Sequence, residues 1–327
     1  MMAKPLEQFD EQKFKPFDQY FDTEVPEGGY RWWYADVISD DGKTSFVVIG
    51  FIGSVFSPYY ARARRKQRPD PYNHCAINAV IYQPGKKHWA MTERSGQALN
   101  PQPNGIAIGP SSLSWQDGDL IIDIEEWTNP FPRRLRGTVR ITPGTTSDTA
   151  YGLHTNGKHW WWPVAPRARA VAEFTAPGLS FTGSAYIDSN FGAESLESGF
   201  DYWDWTRAAN PAMDPAITYH TRQRDGHERR LSLSVGADGT LAPTESPGIQ
   251  TLNKAVWRVE RAICTDLPVR AVRTLEDTPF YARSVVDIND QGGNHLMHES
   301  LSLDRFRQRW VQTLLPFRMP RRSHWQR

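Results

Sequence analysis

Cysteine is almost missing from this chain of 327 residues: Cys75 and Cys264 are the only two, far apart and outside any CxxC or Cys/His ligand spacing. A reduced, metal-free interior is expected. An excess of one charge is missing too, since 38 Lys and Arg stand against 37 Asp and Glu for a formal net charge of +1, so nothing global marks a nucleic-acid binder. Long apolar runs are absent: "FVVIGFI" falls far below a membrane span, and the opening "MMAKPLEQFDEQKFKPFDQY" has no apolar core of signal-peptide length. The expectation is a soluble or peripheral protein in the cytoplasm. Long stretches with the 3.6-residue helical period are also lacking, which argues against βαβ units and a parallel sheet.

What is abundant is aromatic and turn-forming: 13 Trp and 15 Phe stand beside 24 Gly and 24 Pro. Alternating segments recur along the chain, among them "YRWWYADVIS", "TSFVVIGFIG", "HCAINAVIYQ", "GDLIIDIEEW", "ARAVAEFTA", "LSFTGSAYID", "AVWRVERAI" and "YARSVVDIN". With hairpin chemistry at "DDG" (Asp40 to Gly42) and "QDGD" (Gln116 to Asp119), they predict an all-β chain of antiparallel barrels or sandwiches. The length fits about two domains. The rhythm breaks at "DSNFGAESLESGFDYWDWTRAANPAMDP", so the division is placed at 1–190 and 191–327, with residues near the junction facing an interdomain crevice.

The chemistry concentrates beside that junction. In "KHWWWPVAP" the period-two alternation of a strand puts His159 and Trp161 on one face, and in "SAYIDSNFG" it does the same for Tyr186 and Asp188. A carboxyl walled by Trp and Tyr loses hydration, its pKa rises, and it stays protonated near neutrality as a proton donor, while the aromatic faces stabilise a cation. The bland alternative is a turn cap or a satisfied ion pair. Asp204 in "WDWTR" reads that way, as a cap or as a partner of Arg207. "HLMHE" is not in HExxH order, and His295 and His298 point to opposite faces of a strand. His74 and Cys75, being adjacent, diverge likewise, leaving Cys75 as a structural thiol.

Several long strings, "GGYRWWYADVISDDG", "GFIGSVFSPYYARARR", "HWWWPVAPRARA", "YIDSNFGAESLESGF" and "LPFRMPRR" among them, appear in an order that resembles the carotenoid 1,2-hydratases, or hydroxyneurosporene synthases, from about Gly28 onward. The resemblance implies two lipocalin-like antiparallel β domains and a hydration of the terminal 1,2 double bond of acyclic carotenoids such as neurosporene or lycopene. It implies no cofactor and no metal, with the carotenoid and water as the only partners in the reaction. The family's His-x-Trp and Tyr-x-Asp elements fall on His159, Trp161, Tyr186 and Asp188. In that reading Asp188 donates a proton to C2, and Trp161 and Tyr186 stabilise the tertiary cation at C1. His159 is the hydrogen-bond partner of Asp188 or the base that takes the proton from water, and the roles of Asp188 and His159 can be exchanged. A non-catalytic lipocalin-like carrier of isoprenoids competes with this reading. A cyclase like the distantly similar fungal Diels–Alderases is a third alternative.

Two basic segments bear on how an insoluble substrate arrives. "SPYYARARRKQR" holds Arg62, Arg64, Arg65, Lys66 and Arg68 without an acid, and seven Arg follow Asp304 with no Asp or Glu. Peripheral contact with an anionic inner or photosynthetic membrane is expected from the first of these, beside Tyr59 and Tyr60. In "DRFRQRWVQTLLPF" the residues Phe306, Trp310, Leu314 and Phe317 share one helical face closed by Pro316, and the expectation there is packing against the chain's own barrel.

Overall fold

The computed structural model describes residues 9–21, 24–210, 212–236, 238–288 and 295–322. Two large antiparallel sheets are built in succession. The first runs in the order Lys86–Arg94, Cys75–Gln83, Ser45–Ile52, Tyr30–Ser39, Gly178–Gly192, His159–Ala176, Arg134–Thr145 and Asp119–Trp127, and then through two shorter strands to Leu99–Gln102. It curls on itself, so that Asn129 N donates to Trp89 O at 2.9 Å and Arg94 pairs with Glu126 at 2.8 Å between strands far apart in that order. The second sheet runs Leu241–Pro243, Glu228–Val235, Ile217–Gln223, Phe200–Ala208, His295–Ser302, Tyr281–Ile288, Val269–Asp277. The change of sheet falls between Gly192 and Phe200, where the short helix Leu196–Gly199 interrupts the strands. All-β architecture, as the alternation predicted, is what the chain adopts.

The turns follow from the residues that make them. At "QDGD" both Asp117 (φ 52°) and Gly118 (φ 85°) are left-handed, as a two-residue type I′ hairpin requires. Not every predicted strand forms. "AVWRVERAI" is a turn and loop up to Arg261, with only Ala262–Cys264 in a strand, and Val256 and Trp257 stand exposed. Val259 is buried there without belonging to a sheet, and Ile263 is buried within the short strand.

The aromatic runs are explained by two cores that share one strand. Every residue of Tyr30–Ser39 is buried. Trp33, Ala35 and Val37 point into the curl of the first sheet with Phe46, Ile77 and Trp162. Tyr30, Trp32 and Tyr34 point outward, where Trp203, Trp205 and Met297 of the second sheet cover them. Burial on both faces is what replaces the usual polar alternation by "YRWWY". The sheets are also tied by charge: Arg207 on the second forms a buried pair with Asp36 on the first. Arg207 is therefore not the partner of Asp204, whose Oδ1 accepts from Ser300 Oγ at 2.5 Å.

Two helices lie together at one edge. Pro58–Arg65 is capped by Ser57, whose hydroxyl accepts from the amides of Tyr59 and Tyr60. Arg309–Arg318 contains Pro316 within its last turn instead of ending at it. Its packed side is Val311 and Leu315, while Trp310, Leu314 and Phe317 face outward; Phe306 is buried in a separate short helix, Leu303–Phe306. Of the four residues predicted to lie on the barrel, Phe306 is buried and Trp310, Leu314 and Phe317 are exposed, because the segment forms two helices and the second is turned to bury Val311. The residues Arg321–Arg322 then pair in parallel with Lys86–Arg94, returning the chain to the first sheet. Among the described residues no helix is long and apolar enough to cross a membrane.

Candidate active site

Both chemistry-bearing motifs lie on the longest hairpin of the molecule, His159–Ala176 against Gly178–Gly192. Trp161 pairs with Asn190, and a register shift between Trp162 and Ala165 lets the indole lean towards the neighbouring Asp188. Trp161 Nε1 donates to Asp188 Oδ2 at 2.9 Å, and Tyr186 OH donates to the same oxygen at 3.0 Å. Asp188 Oδ1 is buried with no hydrogen-bond partner. Burial, above all, holds the Asp188 carboxyl well above the usual range; the Trp161 and Tyr186 donors pull it down, and the charges of Glu299 and Asp36 push it up further. Burial likewise lifts the Tyr186 hydroxyl, which remains a donor.

The carboxyl forms part of the wall of a small cavity of about 30 Å³ between the sheets, lined by Trp32, Tyr34, Asn190, Trp205, Tyr219 and Glu299 among others. That is room for a water molecule. Adjoining it, and sharing Trp32, Tyr34, Trp203 and Glu299 as wall, is an apolar cavity of about 360 Å³ lined by residues such as Ile49, Phe51, Met91 and Phe280. Its volume suits a small-molecule pocket. The exposed side chains Trp257, Leu314 and Phe317 stand at its rim. Around the small cavity the rings crowd closely: Trp161 and Tyr219 lie 5.2 Å apart, Tyr186 and Trp205 5.2 Å, Tyr34 and Trp205 5.4 Å. An acid, a water-sized space, an aromatic wall and an apolar channel together match the chemistry of adding water to an alkene.

The family model described as "Carotenoid hydratase CrtC" matches residues 48–327. The chain belongs to the carotenoid hydratase family. An acyclic carotenoid 1,2-hydratase of Thiocapsa roseopersicina is 43% identical over 305 residues, covering 92% of this chain and 75% of that one. One from Cereibacter sphaeroides is 36% identical, covering 85% of this chain and 99% of its own length. Among solved structures, a candidate AttH of Nitrosomonas europaea superposes with a TM-score of 0.56 at 15% identity, covering 92% of this chain and 98% of that one. That likeness concerns the fold, which is lipocalin-like. Membership in the carotenoid hydratases makes the chain a hydro-lyase.

The candidate site gathers three of the four residues named from the sequence. His159 stands apart, because it pairs with Gly192, four residues and about 13 Å along the strand from Asp188. It does not hydrogen-bond to Asp188: its Nδ1 meets Tyr30 OH at 3.0 Å, and its Nε2 lies 3.4 Å from Glu194 Oε1. Burial lowers its pKa to about 4, against the opposing pull of Glu194. The Tyr30 ring in turn stacks on Trp32 at 5.1 Å, so His159 braces a wall of both cavities. Trp162, on the opposite face of the same strand, fills the first core and donates to Ser147 O at 2.8 Å.

Glu299 was missed in the sequence, although it closes "HLMHE". Read as a metal motif, that string drew attention to its histidines. His298 hydrogen-bonds Thr206 Oγ1 at 2.9 Å and His295 pairs with Asp287, whereas Glu299 faces the cavities. A glutamate sharing its strand face with Met297 and Leu301, two residues to either side, and an arginine in the adjacent "YARSVVDIN" were the available signal.

The basic segment differs from expectation in two members. Arg64 is held by Glu197 at 3.0 Å and lies over the Tyr60 ring, and Tyr60 itself is fully buried, donating to Gly29 O at 2.8 Å. Arg62, Arg65, Lys66 and Arg68 remain exposed.

Proposed function

We propose that this protein hydrates the terminal 1,2 double bond of acyclic carotenoids, with lycopene and neurosporene as representatives, without a cofactor and with Asp188 as the acid. The observation that carries this is the unpartnered, buried Oδ1 of Asp188 in the wall of the cavity. Both neighbouring donors are spent on Oδ2, so the proton of the neutral acid belongs on Oδ1. Delivered to C2, it forms a C–H bond with the π electrons and leaves the positive charge on the tertiary C1. Water then forms the C–O bond at C1 and loses a proton, giving the 1-hydroxy product. The rings that line the cavity, Trp205 and Tyr219 among them, surround the cation with aromatic carbon, a cation–π contact being worth about 2 kcal/mol or more when desolvated, while Trp161 and Tyr186 pack behind them at 5.2 Å and donate to Asp188 Oδ2. His159, neutral and hydrogen-bonded to Tyr30, holds the aromatic wall in place.

The substrate enters through the apolar cavity from a bilayer to which the protein attaches peripherally, the inner or photosynthetic membrane. Supporting this, Val256, Trp257, Trp310, Leu314 and Phe317 are exposed at or beside the rim, and Arg62, Arg65, Arg307 and Arg309 line a groove between the two adjacent helices. Lycopene incubated in ¹⁸O-water tests the reaction: one ¹⁸O per hydrated end is expected, and label-free or unchanged lycopene would leave only the carrier.

A further inference from the structure

We propose that Glu299 is the base that receives the proton of the attacking water, so that hydration runs between two carboxyls, one from each sheet. This rests on the hydration reading above. Asp188 belongs to the strand Gly178–Gly192 of the first sheet and Glu299 to His295–Ser302 of the second, and the two side chains line the same water-sized cavity. Register seats Glu299 between Trp205 and Arg283 on its neighbouring strands.

Arg283 Nε donates to Glu299 Oε1 at 2.8 Å. Tyr34 OH lies 3.2 Å from the same oxygen and 3.0 Å from Asp36 Oδ2, so its one proton serves one carboxylate at a time. The side chain keeps about 14% of its surface open, although the guanidinium of Arg283 is buried. An ion pair on one oxygen with access to a cavity is the arrangement of a base, as an unpartnered protonated oxygen is that of an acid. A water between them finds further partners in Asn190 and in Tyr219, whose hydroxyl already accepts from Asn190 Nδ2 at 3.2 Å and so has its own proton to give.

The protons balance. Asp188 loses one to C2; the water oxygen bonds to C1 and passes one to Glu299, and the neutral alcohol departs. A fresh water in the cavity then relays the proton from Glu299 back to Asp188, and the net change is alkene plus water to alcohol.

Glu299→Gln tests this with lycopene in detergent. Expected are a kcat at least 100-fold lower, a KM within about threefold of the parent, and loss of the acid limb of the kcat–pH profile with the alkaline limb kept. The groups facing Glu299 that enter that profile are Arg283, Tyr34 with Asp36 behind it, Tyr281 and Asp188. Formate should restore part of the rate to Glu299→Ala. Because either variant leaves Arg283 without its counter-charge, near-UV circular dichroism is recorded. If they misfold, Glu299→Asp decides: it keeps the charge, withdraws the carboxylate by one methylene, and should lower kcat but not raise KM. A folded Glu299→Gln, or failing that Glu299→Asp, within threefold of the parent kcat and with an unaltered profile would overturn the assignment. A parent enzyme that takes up no ¹⁸O would instead sink the hydration reading itself.

Discussion

Two donors crowd one oxygen of Asp188 and leave the other to the cavity, and the consequences can be measured one residue at a time. Asp188→Asn keeps the shape, cannot donate the proton, and is expected to lower hydration by about 10²–10⁴-fold in product assays. The sign of the pH effect is set by the raised pKa. The folded protein holds this proton where the unfolded chain has lost it, so both stability and activity decline as pH rises through the folded value. Asp188→Asn should therefore melt higher than the parent at alkaline pH and no higher at pH 4, as a thermal scan will show. His159 acts in the reverse sense: its pKa is lowered to about 4, so its contribution is complete above pH 6.5 and fades as pH falls towards 4. His159→Phe should flatten the stability profile between those limits, and the kcat of the parent should show no inflection at an ordinary histidine pKa. The spacing of "HWW" and "YID" was enough to put Trp161 with His159 on one strand face and Tyr186 with Asp188 on another; that the two strands form one hairpin, with Trp161 bonded to Asp188, is visible only in the fold. Nor does the spacing place His159, because a shared strand face says nothing of register, and Gly192, not Asp188, lies opposite.

Among the elements, the strands were legible wherever two faces demand apolar side chains, as in Tyr30–Ser39, and wherever a Gly must turn left-handed, as at Gly118. What misled was short-range alternation and apolar composition read without their tertiary setting. "AVWRVERAI" is strand-like in residue type yet forms a surface turn, and the helix Arg309–Arg318 carries apolar residues round much of its circumference, so its buried side could not be told from its exposed one. Those exposed side chains make a prediction of their own. Phe317→Ser or Trp257→Ser should weaken binding to phosphatidylglycerol vesicles about 10-fold, the effect of ~1.5 kcal/mol of lost apolar burial, and do so equally at low and high salt. Replacing Arg62, Arg65, Arg307 and Arg309 by Gln should weaken binding mostly at low salt, since exposed charges are screened within about 8 Å at physiological ionic strength. Sedimentation of both sets with vesicles separates the two contributions, and unchanged binding in both would mean that this edge does not meet the bilayer.

On the scale of the whole molecule, the two units proposed at 1–190 and 191–327 are coupled through the face that carries the site. Arg207→Ala strands Asp36 in the interface, and a loss of about 3–5 kcal/mol is expected in urea unfolding, with a single transition for both sheets. The first unit alone would expose Tyr30, Trp32, Tyr34, Trp161 and Tyr186, and should aggregate when expressed without the second. If Asp188 is the acid, as proposed, and substrate reaches it through the apolar cavity that shares a wall with its own, an order of events follows for a symmetrical molecule. Lycopene has two equivalent termini, and only one can reach Asp188 at a time. A chain hydrated at its first end has to withdraw, reverse its direction and enter again. With lycopene as the proposed substrate, conversion to a diol is expected to be distributive, with the mono-alcohol accumulating before the second product appears in a time course.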